Sequence, residues 1–379
     1  MVKYLIISDG ASPHIYNYIK NMLSGRGYDI YILRHSLMPI PKQYQEYYQK
    51  NNVKIFTADE EGGKRSFWST LKRFWRKCRF LYQLGKIDIC HIHYLHRSSL
   101  LLYRLFRHNF NKLILSYWGT DILRPSMRDI KAQKKVFPYA NKITVTVEHS
   151  RQVFWQRFGH QYDGKLCFGR FAGGAIQAIR EFSKGVTKRQ CRKAFGIPDG
   201  KLCVVCGYNA DPSQHQDVIM REMAMLPDGV KSRIHLLIPL QYGRIDEDYI
   251  SRVKDNARQC GCSYEILEEY VPFERNAMMC LATDIYLNLR DSDAFSNAMK
   301  EQIYSGTHMI QGEWLVYEEL DQCNAPVTKI KTLDDLHLAM EQLVASFQYS
   351  DEIHLFEPIY DIFSIAAVRK NWDEILADL

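Results

Sequence analysis

Short runs of aliphatic and β-branched residues alternate with longer amphipathic segments along the first 160 residues. Such runs predict buried strands, and apolar positions at helical spacing predict helices between them. The alternation is typical of βαβ units, in which helices flank a parallel sheet. The predicted strands are 3–8, 29–33, 54–56, 87–92, 112–116 and 142–147, and one predicted helix, 14–23, ends near Gly25 and Gly27.

A second alternating half follows a Gly-rich, basic segment at 164–200, which we interpret as an interdomain linker. Its predicted strands are 202–206, 234–238, 264–267, 284–289 and 308–310, and the chain ends in a helical segment at 362–376. The predicted fold class is therefore α/β, with two Rossmann-like, doubly wound domains at 1–180 and 195–355. Such domains bind ligands at the carboxyl ends of their strands, so we expect function in those loops, where the two halves face a cleft.

The most informative segment, 291–306, has the pattern of a loop that enters a helix. Ser and Asp residues near 291–296 are good N-caps, and Gly306 suits the C-terminal cap. A helix N-terminus offers free N–H groups and a positive dipole end, so this turn could accept a diphosphate beside Asp293. The alternative is an ordinary capped helix with a solvated Glu301.

Asp293, Phe295 and Glu301 resemble the motif of the family-4 glycosyltransferases, in which seven residues separate two acids and Phe follows the first acid by two places. Asp293 stands where that family usually has Glu. The resemblance implies a GT-B fold, with two Rossmann-like domains facing a cleft and a C-terminal helix, 360–379, that completes the first domain. It also implies that the acidic pair contacts the donor sugar and the nucleotide ribose. We assign Ser296 and Asn297 to the same donor site.

Two further segments, 206–215 and 239–243, resemble acetamido-fucose transferases of enterobacterial common antigen synthesis. A glycine after a strand lets the backbone approach a phosphate, and a serine can cap the next helix. The residues assigned to the donor here are Gly207, Asn209, Ser213, Tyr242 and Gly243. Family-4 enzymes usually place Arg and Lys in this region, and since both are missing we assign diphosphate neutralisation to Arg290. A polar turn without a ligand is the alternative.

In the first half, the buried run 113–117 leads into a loop with Trp118, Gly119 and Asp121. Both transferase groups carry a similar Gly-x-Asp after this strand, so we assign the loop to the acceptor. Asp121 could deprotonate the acceptor hydroxyl in an inverting displacement, or hold the acceptor in a retaining enzyme. A helix N-cap is the alternative role for Asp121.

Three histidines stand at the end of the strand 87–92, and alternation sends His91 and His93 to one face. A metal is conceivable there, but no carboxylate or Cys completes a ligand set, so we predict no metal site. We assign His93 and, on the loop after the first strand, His14 to the acceptor side.

The segment 64–81 contains no acid and combines an apolar stripe at helical spacing with many Lys and Arg residues. Basic residues near an anionic leaflet and Trp or Phe at its interface predict docking on an anionic membrane surface. The alternative is a core-packed helix with a solvated basic face. Nucleic acid is not a predicted partner, because no recognised module accompanies the charge.

The composition fits a folded, soluble chain, with 379 residues, 46% hydrophobic and 25% charged, and a net charge of +7. No signal peptide or spanning run is predicted, and ten scattered cysteines favour reduced thiols. We therefore expect a cytoplasmic protein, peripheral on the inner face of the cell membrane, without a cofactor.

The sequence thus predicts a glycosyltransferase that moves a sugar from a nucleotide-diphosphate donor to a lipid-linked or saccharide acceptor in glycan or surface polysaccharide assembly. Two alternatives stay open: a nucleotide-sugar epimerase of the same fold, and a non-catalytic membrane-surface binding protein. The donor base and sugar, the acceptor, the stereochemical outcome and the oligomeric state are left open by the sequence.

Overall fold

A computed structural model describes residues 1–35, 38–58, 67–172, 174–243, 245–269 and 271–379. The chain divides into two compact units. Unit 1 comprises Met1–Ala172 with Ile365–Leu379, and unit 2 comprises Gly173–Ser364. Each unit is built on one parallel sheet, so the predicted α/β fold class is confirmed.

Unit 1 contains a seven-stranded parallel sheet in the order β3-β2-β1-β4-β5-β6-β7. Its strands are β1 Val2–Ile7, β2 Tyr28–Leu33, β3 Lys54–Phe56, β4 Ile87–His93, β5 Phe110–Ser116, β6 Lys142–Val145 and β7 Leu166–Phe168. Its helices are α1 Pro13–Asn17, α2 Lys42–Lys50, α3 Phe67–Leu84, α4 Arg97–Phe106, α5 Thr120–Leu123, α6 Met127–Lys134, α7 Glu148–Phe158 and, after unit 2, α18 Ile365–Ala377.

Unit 2 contains a six-stranded parallel sheet in the order β10-β9-β8-β11-β12-β13. Its strands are β8 Leu202–Cys206, β9 Ile234–Pro239, β10 Ser263–Leu267, β11 Ile285–Asn288, β12 His308–Gly312 and β13 Val327–Ile330. Its helices are α8 Gly174–Ser183, α9 Lys188–Lys193, α10 Gln216–Ala224, α11 Asp228–Lys231, α12 Glu247–Gln259, α13 Phe273–Ala282, α14 Asn297–Tyr304, α15 Glu318–Gln322, α16 Leu336–Ser346 and α17 Glu357–Phe363.

The predicted strands are confirmed with ends that differ by at most two residues, and two edge strands, β7 and β13, were missed. Both are short and mostly half-buried, so neither presents the continuous apolar run of a central strand. The segment 164–200, interpreted as a linker, holds β7 and helices α8 and α9. The predicted helix 14–23 is α1 followed by a π-helical turn, Tyr18–Leu23.

The C-terminal helical segment is two helices rather than the single helix predicted for 362–376, because the chain leaves helical geometry at Ser364 (ψ 157°). The second of them, α18, belongs to unit 1. Its Trp372 is fully buried, packs against Tyr18 at a ring distance of 4.8 Å and donates an indole hydrogen bond of 2.9 Å to the Arg170 carbonyl.

The strand orders place a topological switch point in each sheet. In unit 1 the order reverses between β1 and β4, and in unit 2 it reverses between β8 and β11. Ligands of open parallel sheets bind outside the carboxyl ends of the strands at such points. The loops after β1 and β4, and those after β8 and β11, are therefore the places to look for function. Among the described helices, none has the length and apolar character needed to cross a membrane.

Candidate functional site

Residues with strained backbone conformations lie in the loops after β4, β8 and β11. Five described residues other than glycine have positive φ, and two of them are Asn52 and Asn324, a residue type that tolerates this region. The other three are Tyr94 after β4 (61°), His215 at the start of α10 (56°) and Phe295 before α14 (63°). Such conformations cost about 1–3 kcal/mol each and cluster at functional sites.

In unit 2 the carboxyl edge of the sheet is organised around Arg290, which follows β11. Its guanidinium donates hydrogen bonds to the Tyr208 hydroxyl and, at 3.3 Å, to Ser213 Oγ, and lies 3.8 Å from Asp293 Oδ1. The side chain is only 17% exposed. Its buried Nε has no hydrogen-bond partner within the described part of the chain. Arg290 is therefore a planar, pre-positioned cation at the carboxyl edge of the sheet.

The Asp293 carboxylate is fixed by its neighbours. Oδ2 accepts hydrogen bonds from the Ser296 backbone N–H at 2.8 Å and from the Tyr317 hydroxyl at 3.0 Å. The Tyr317 oxygen in turn accepts from Asn288 Nδ2 at 3.0 Å. Oδ2 is therefore engaged within the protein, while Oδ1 lies on the Arg290 side.

Helix α14 begins next to Asp293, as predicted. Ser296 is its N-cap, and the Ser296 hydroxyl accepts a hydrogen bond from the Met299 N–H at 3.4 Å. Asn297 is the first helical residue, and its Oδ1 accepts from Lys300 Nζ at 3.4 Å. The free N–H groups and dipole of the first turn add positive potential beside Arg290.

Glu301, on the second turn of α14, is held by a residue from another helix. Asn276 on α13 donates a hydrogen bond of 2.8 Å to the Glu301 carboxylate. Burial raises the pKa of Glu301 to about 7, against the lowering effects of Asn276 and of the nearby Lys300 ammonium. A carboxylate with one oxygen engaged retains acceptor capacity for ligand hydroxyl groups.

The loops after β8 and β9 lie against each other. Gly207 has φ 72°, and a Cβ there would approach Gln214 Oε1 to 2.7 Å. Gly243 has φ 115°, and a Cβ there would lie 3.2 Å from Asn209 Cγ. Asn209 Oδ1 accepts from Gln214 Nε2 at 3.0 Å, and the Tyr242 carbonyl accepts a 2.6 Å hydrogen bond from the backbone after Asn209. Both glycines are thus required by conformation and by space.

Unit 2 therefore gathers the predicted donor residues of the loops after β8, β9 and β11 at one edge, around the β8/β11 switch point, and Glu301 follows on the second turn of α14. Sequence reasoning did not assign Tyr208, Asn276 and Tyr317, which hold Arg290, Glu301 and Asp293 respectively. Tyr317 lies in the loop after β12, so the strand-end rule could have found it.

In unit 1 the predicted acceptor residues His14, His93 and Trp118 come together with Phe171. The ring centroids of His14 and Trp118 are 5.2 Å apart, those of His93 and Trp118 are 6.1 Å apart, and Phe171 lies 4.8 Å from His14. An aromatic cluster of this kind presents apolar faces and polar edges, which suits a sugar ring or another amphipathic group.

His93 within this cluster is neutral. Burial lowers the pKa of His93 to about 3, and His14 adds to the effect. The Trp118 indole can only donate, and it points at His93 Nδ1 over 3.4 Å, which places the imidazole proton on Nε2. That Nε2 is buried and unpaired among the described residues. His93 can therefore donate a hydrogen bond and cannot act as a cation at neutral pH.

Asp121 is buried and accepts three backbone hydrogen bonds of 2.9 Å. The N–H groups of Trp118 and Gly119 donate to Oδ1, and that of Leu95 donates to Oδ2. Burial raises the pKa of Asp121, and these N–H donors partly offset the rise. Gly119, with φ 145°, is the N-cap residue of α5, so Asp121 is not the side-chain N-cap considered from the sequence. Its contacts tie the loops after β4 and β5 together.

Replacement of Asp121 by Asn is expected to destabilise unit 1 by about 2–4 kcal/mol, because an amide NH2 would face N–H donors and leave buried groups unpaired. Thermal unfolding without any ligand measures the effect. Asp199→Asn is the control, since the Asp199 side chain is 81% exposed. An unchanged melting temperature for Asp121→Asn would contradict the loop-fixing role.

Of the predicted membrane segment 64–81, residues 64–66 lie outside the described residues. Helix α3 exposes large apolar side chains at helical spacing: Trp68 (75%), Leu71 (37%), Trp75 (66%) and Tyr82 (79%). Leu81, in contrast, is buried in the core of unit 1. The described helix therefore combines a core face with an exposed aromatic face.

His91, one of the histidines considered for a metal, belongs to a hydrogen-bonded chain. His91 Nδ1 lies 2.9 Å from the Tyr4 hydroxyl, and His91 Nε2 lies 2.6 Å from Ser116 Oγ. Within the described ranges, no cluster of three or more His, Cys, Asp or Glu side chains is arranged to bind a metal ion.

Comparison with solved structures identifies the class of fold. HepE from Anabaena, solved with UDP and glucose, matches over 100% of both chains with a TM-score of 0.72 at 13% identity. A glycosyltransferase from Rickettsia africae matches over 99% of this chain and 98% of its own chain, with a TM-score of 0.69 and 12% sequence identity. Sucrose-phosphate synthase from Thermosynechococcus elongatus matches over 99% of this chain and 95% of its own chain, with a TM-score of 0.64 and 13% sequence identity. The two parallel-sheet units thus have the GT-B glycosyltransferase fold.

Part of unit 1 also matches a family model by sequence. Residues 3–148 match the family described as glycosyl transferase 4-like, which agrees with the resemblance to family-4 enzymes found in the sequence. No curated protein matches the chain significantly by sequence. The resemblance to acetamido-fucose transferases stays a prediction.

Proposed function

We propose that the chain is a glycosyltransferase that takes a sugar from a nucleotide-diphosphate donor held by unit 2. The observation that carries this proposal is the cluster at the β8/β11 switch point, where Arg290, the start of α14 and a fixed Asp293 converge. A cation and a helix N-terminus together offset the charge of a diphosphate, both in the bound donor and in the leaving group.

We assign the donor roles as follows. Arg290 and the first turn of α14 bind the diphosphate, and Ser213 holds Arg290 in place. Asp293 accepts hydroxyl groups of the sugar through Oδ1, and Glu301 accepts the ribose hydroxyls. Gly207 and Gly243 let the backbone approach the nucleotide, next to Asn209 and Tyr242. Since HepE was solved with UDP and with UDP-glucose, UDP is the first nucleotide to test.

Unit 1 binds the acceptor in this proposal. The aromatic cluster supports stacking against a sugar, and His93 Nε2 offers it a hydrogen bond. Both oxygens of Asp121 accept backbone N–H groups, which favours a role in shaping the acceptor loop over that of a general base. The exposed aromatic face of α3 supports a lipid-linked acceptor reached at an anionic membrane surface.

The experiment that tests the proposal incubates the chain with UDP-glucose and related UDP-sugars, with and without extracted lipid-linked and free saccharides, followed by mass spectrometry. We expect UDP and a glycosylated product only when acceptor is present. Conversion of the donor to its epimer without acceptor would identify the epimerase alternative. Absence of nucleotide binding together with retained vesicle binding would identify the non-catalytic one.

A further inference from the structure

An open groove of about 320 Å³ lies between helices α4 and α6 of unit 1. Its floor is apolar, formed by Leu100, which is buried, and by the half-buried Ala132. Five cations line the groove: Arg97, Arg104, Arg128, Lys131 and Lys135. None of these residues belongs to the sites described above.

The charge of the groove is largely uncompensated. Arg97 pairs with Asp129 at 2.9 Å. The four other cations form no ion pair or hydrogen bond within the part of the chain that the structure describes. Like charges that line one groove repel one another, and a bound anion would offset that repulsion.

The periodicity of both helices aligns these side chains. On α4, positions 97, 100, 101 and 104 share one face, where two arginines flank two leucines. The same spacing recurs at 128, 131, 132 and 135, on α6 and its C-cap residue, where three cations accompany one alanine. Exposed apolar side chains also lie on these helices: Leu101, which lines the groove, is 44% exposed, and Leu105 on α4 and Met127 on α6, outside its lining, are 56% and 68% exposed. The groove thus presents cations beside exposed hydrocarbon.

We infer that the α4–α6 groove docks on an anionic phospholipid bilayer, with its cations at the lipid phosphates and its exposed Leu and Met side chains in the interface. Charge complementarity supplies the attraction, and the mixture of hydrocarbon with cations is that of interfacial helices. A nucleic acid would account for the cations but leave the exposed Leu101, Leu105 and Met127 unexplained. This inference does not depend on the transferase activity.

The test is flotation of the full chain with vesicles of phosphatidylcholine, with and without phosphatidylglycerol. The variant Arg104→Gln/Lys131→Gln removes two unpaired cations. We expect binding only to the anionic vesicles and a loss of about fivefold in partitioning per cation removed, or roughly 30-fold for the pair. Leu101→Ser, at an exposed position, should weaken binding without changing charge.

Matched controls separate the groove from charge in general. Lys193→Gln/Arg221→Gln removes two exposed cations of unit 2 and should leave vesicle binding unchanged. Lys72→Gln/Arg79→Gln tests α3, and melting temperatures establish that each variant is folded. Equal losses in the groove variant and the unit 2 control would overturn the inference. So would vesicle binding lost only in the α3 variant, or duplex RNA or DNA bound in preference to the anionic vesicles.

Discussion

Replacing Glu301 by Gln is expected to weaken donor binding by about 10- to 100-fold, because hydrogen bonds to a charged acceptor contribute about 1.5–3 kcal/mol. The carboxylate would accept the ribose hydroxyls, and the amide would place an NH2 group against the Asn276 donor. Calorimetric titration with the nucleotide and turnover of the nucleotide sugar both measure the loss. Glu274→Gln, on the exposed face of α13, is the matched control.

The raised pKa of Glu301 predicts that donor affinity depends on pH. Burial raises the pKa of Glu301 to about 7, so in the folded protein without ligand the carboxyl group ionises between about pH 6 and pH 8. Ligand hydroxyls favour the ionised form, so donor affinity should rise across that interval and binding should release protons. In Glu301→Gln the rise should vanish. Donor affinity and turnover that match the native protein at every pH would remove Glu301 from the site.

Arg290→Ala is expected to reduce UDP affinity by about 100-fold, since truncating one partner of a close charge pair costs about 2–5 kcal/mol. Uridine, which has no phosphate, should bind the variant and the native chain alike. Comparing UDP with uridine separates the loss of an anion contact from a general disturbance of the loop to which Arg290 donates a hydrogen bond.

Arg290→Lys retains the charge but not the planar guanidinium, so we expect partial recovery of UDP affinity. Arg221→Ala, at an exposed position on α10, controls for the change in net charge. If Arg290→Ala weakens uridine and UDP equally, the residue supports the loop structure and does not bind the diphosphate.

The central strands of both sheets could be predicted because they are buried on both faces. Every residue of β8 and of β9 is buried, so each appears in the sequence as a largely apolar run, interrupted in β9 only by His235. The edge strands β7 and β13 bury one face at most, and β13 includes Thr328 and Lys329, so pattern alone does not distinguish them from loops. The break at Ser364 lies within a run of apolar residues that continues on both sides, and it was missed for that reason.

The candidate sites were predictable as far as they follow strand ends and helix caps. Asp293, Ser296 and Glu301 share one loop and one helix, so spacing alone relates them. The contacts of Asn276 with Glu301 and of Tyr317 with Asp293 join residues 25 and 24 positions apart, and only tertiary packing creates them. The spacing of basic and apolar residues on α4 and α6 is visible in the sequence. The groove between the two helices exists only because they pack side by side.

The central claim is that unit 2 binds a nucleoside diphosphate at the β8/β11 switch point. Isothermal titration of the native chain with UDP, uridine and the diphosphates of the other bases tests it most directly. We predict one site for one of these diphosphates, with heat that disappears in Arg290→Ala and with much weaker binding of the bare nucleoside. A native chain that gives no heat with any nucleoside diphosphate, or an Arg290→Ala variant that binds as tightly as the native chain, would contradict the claim.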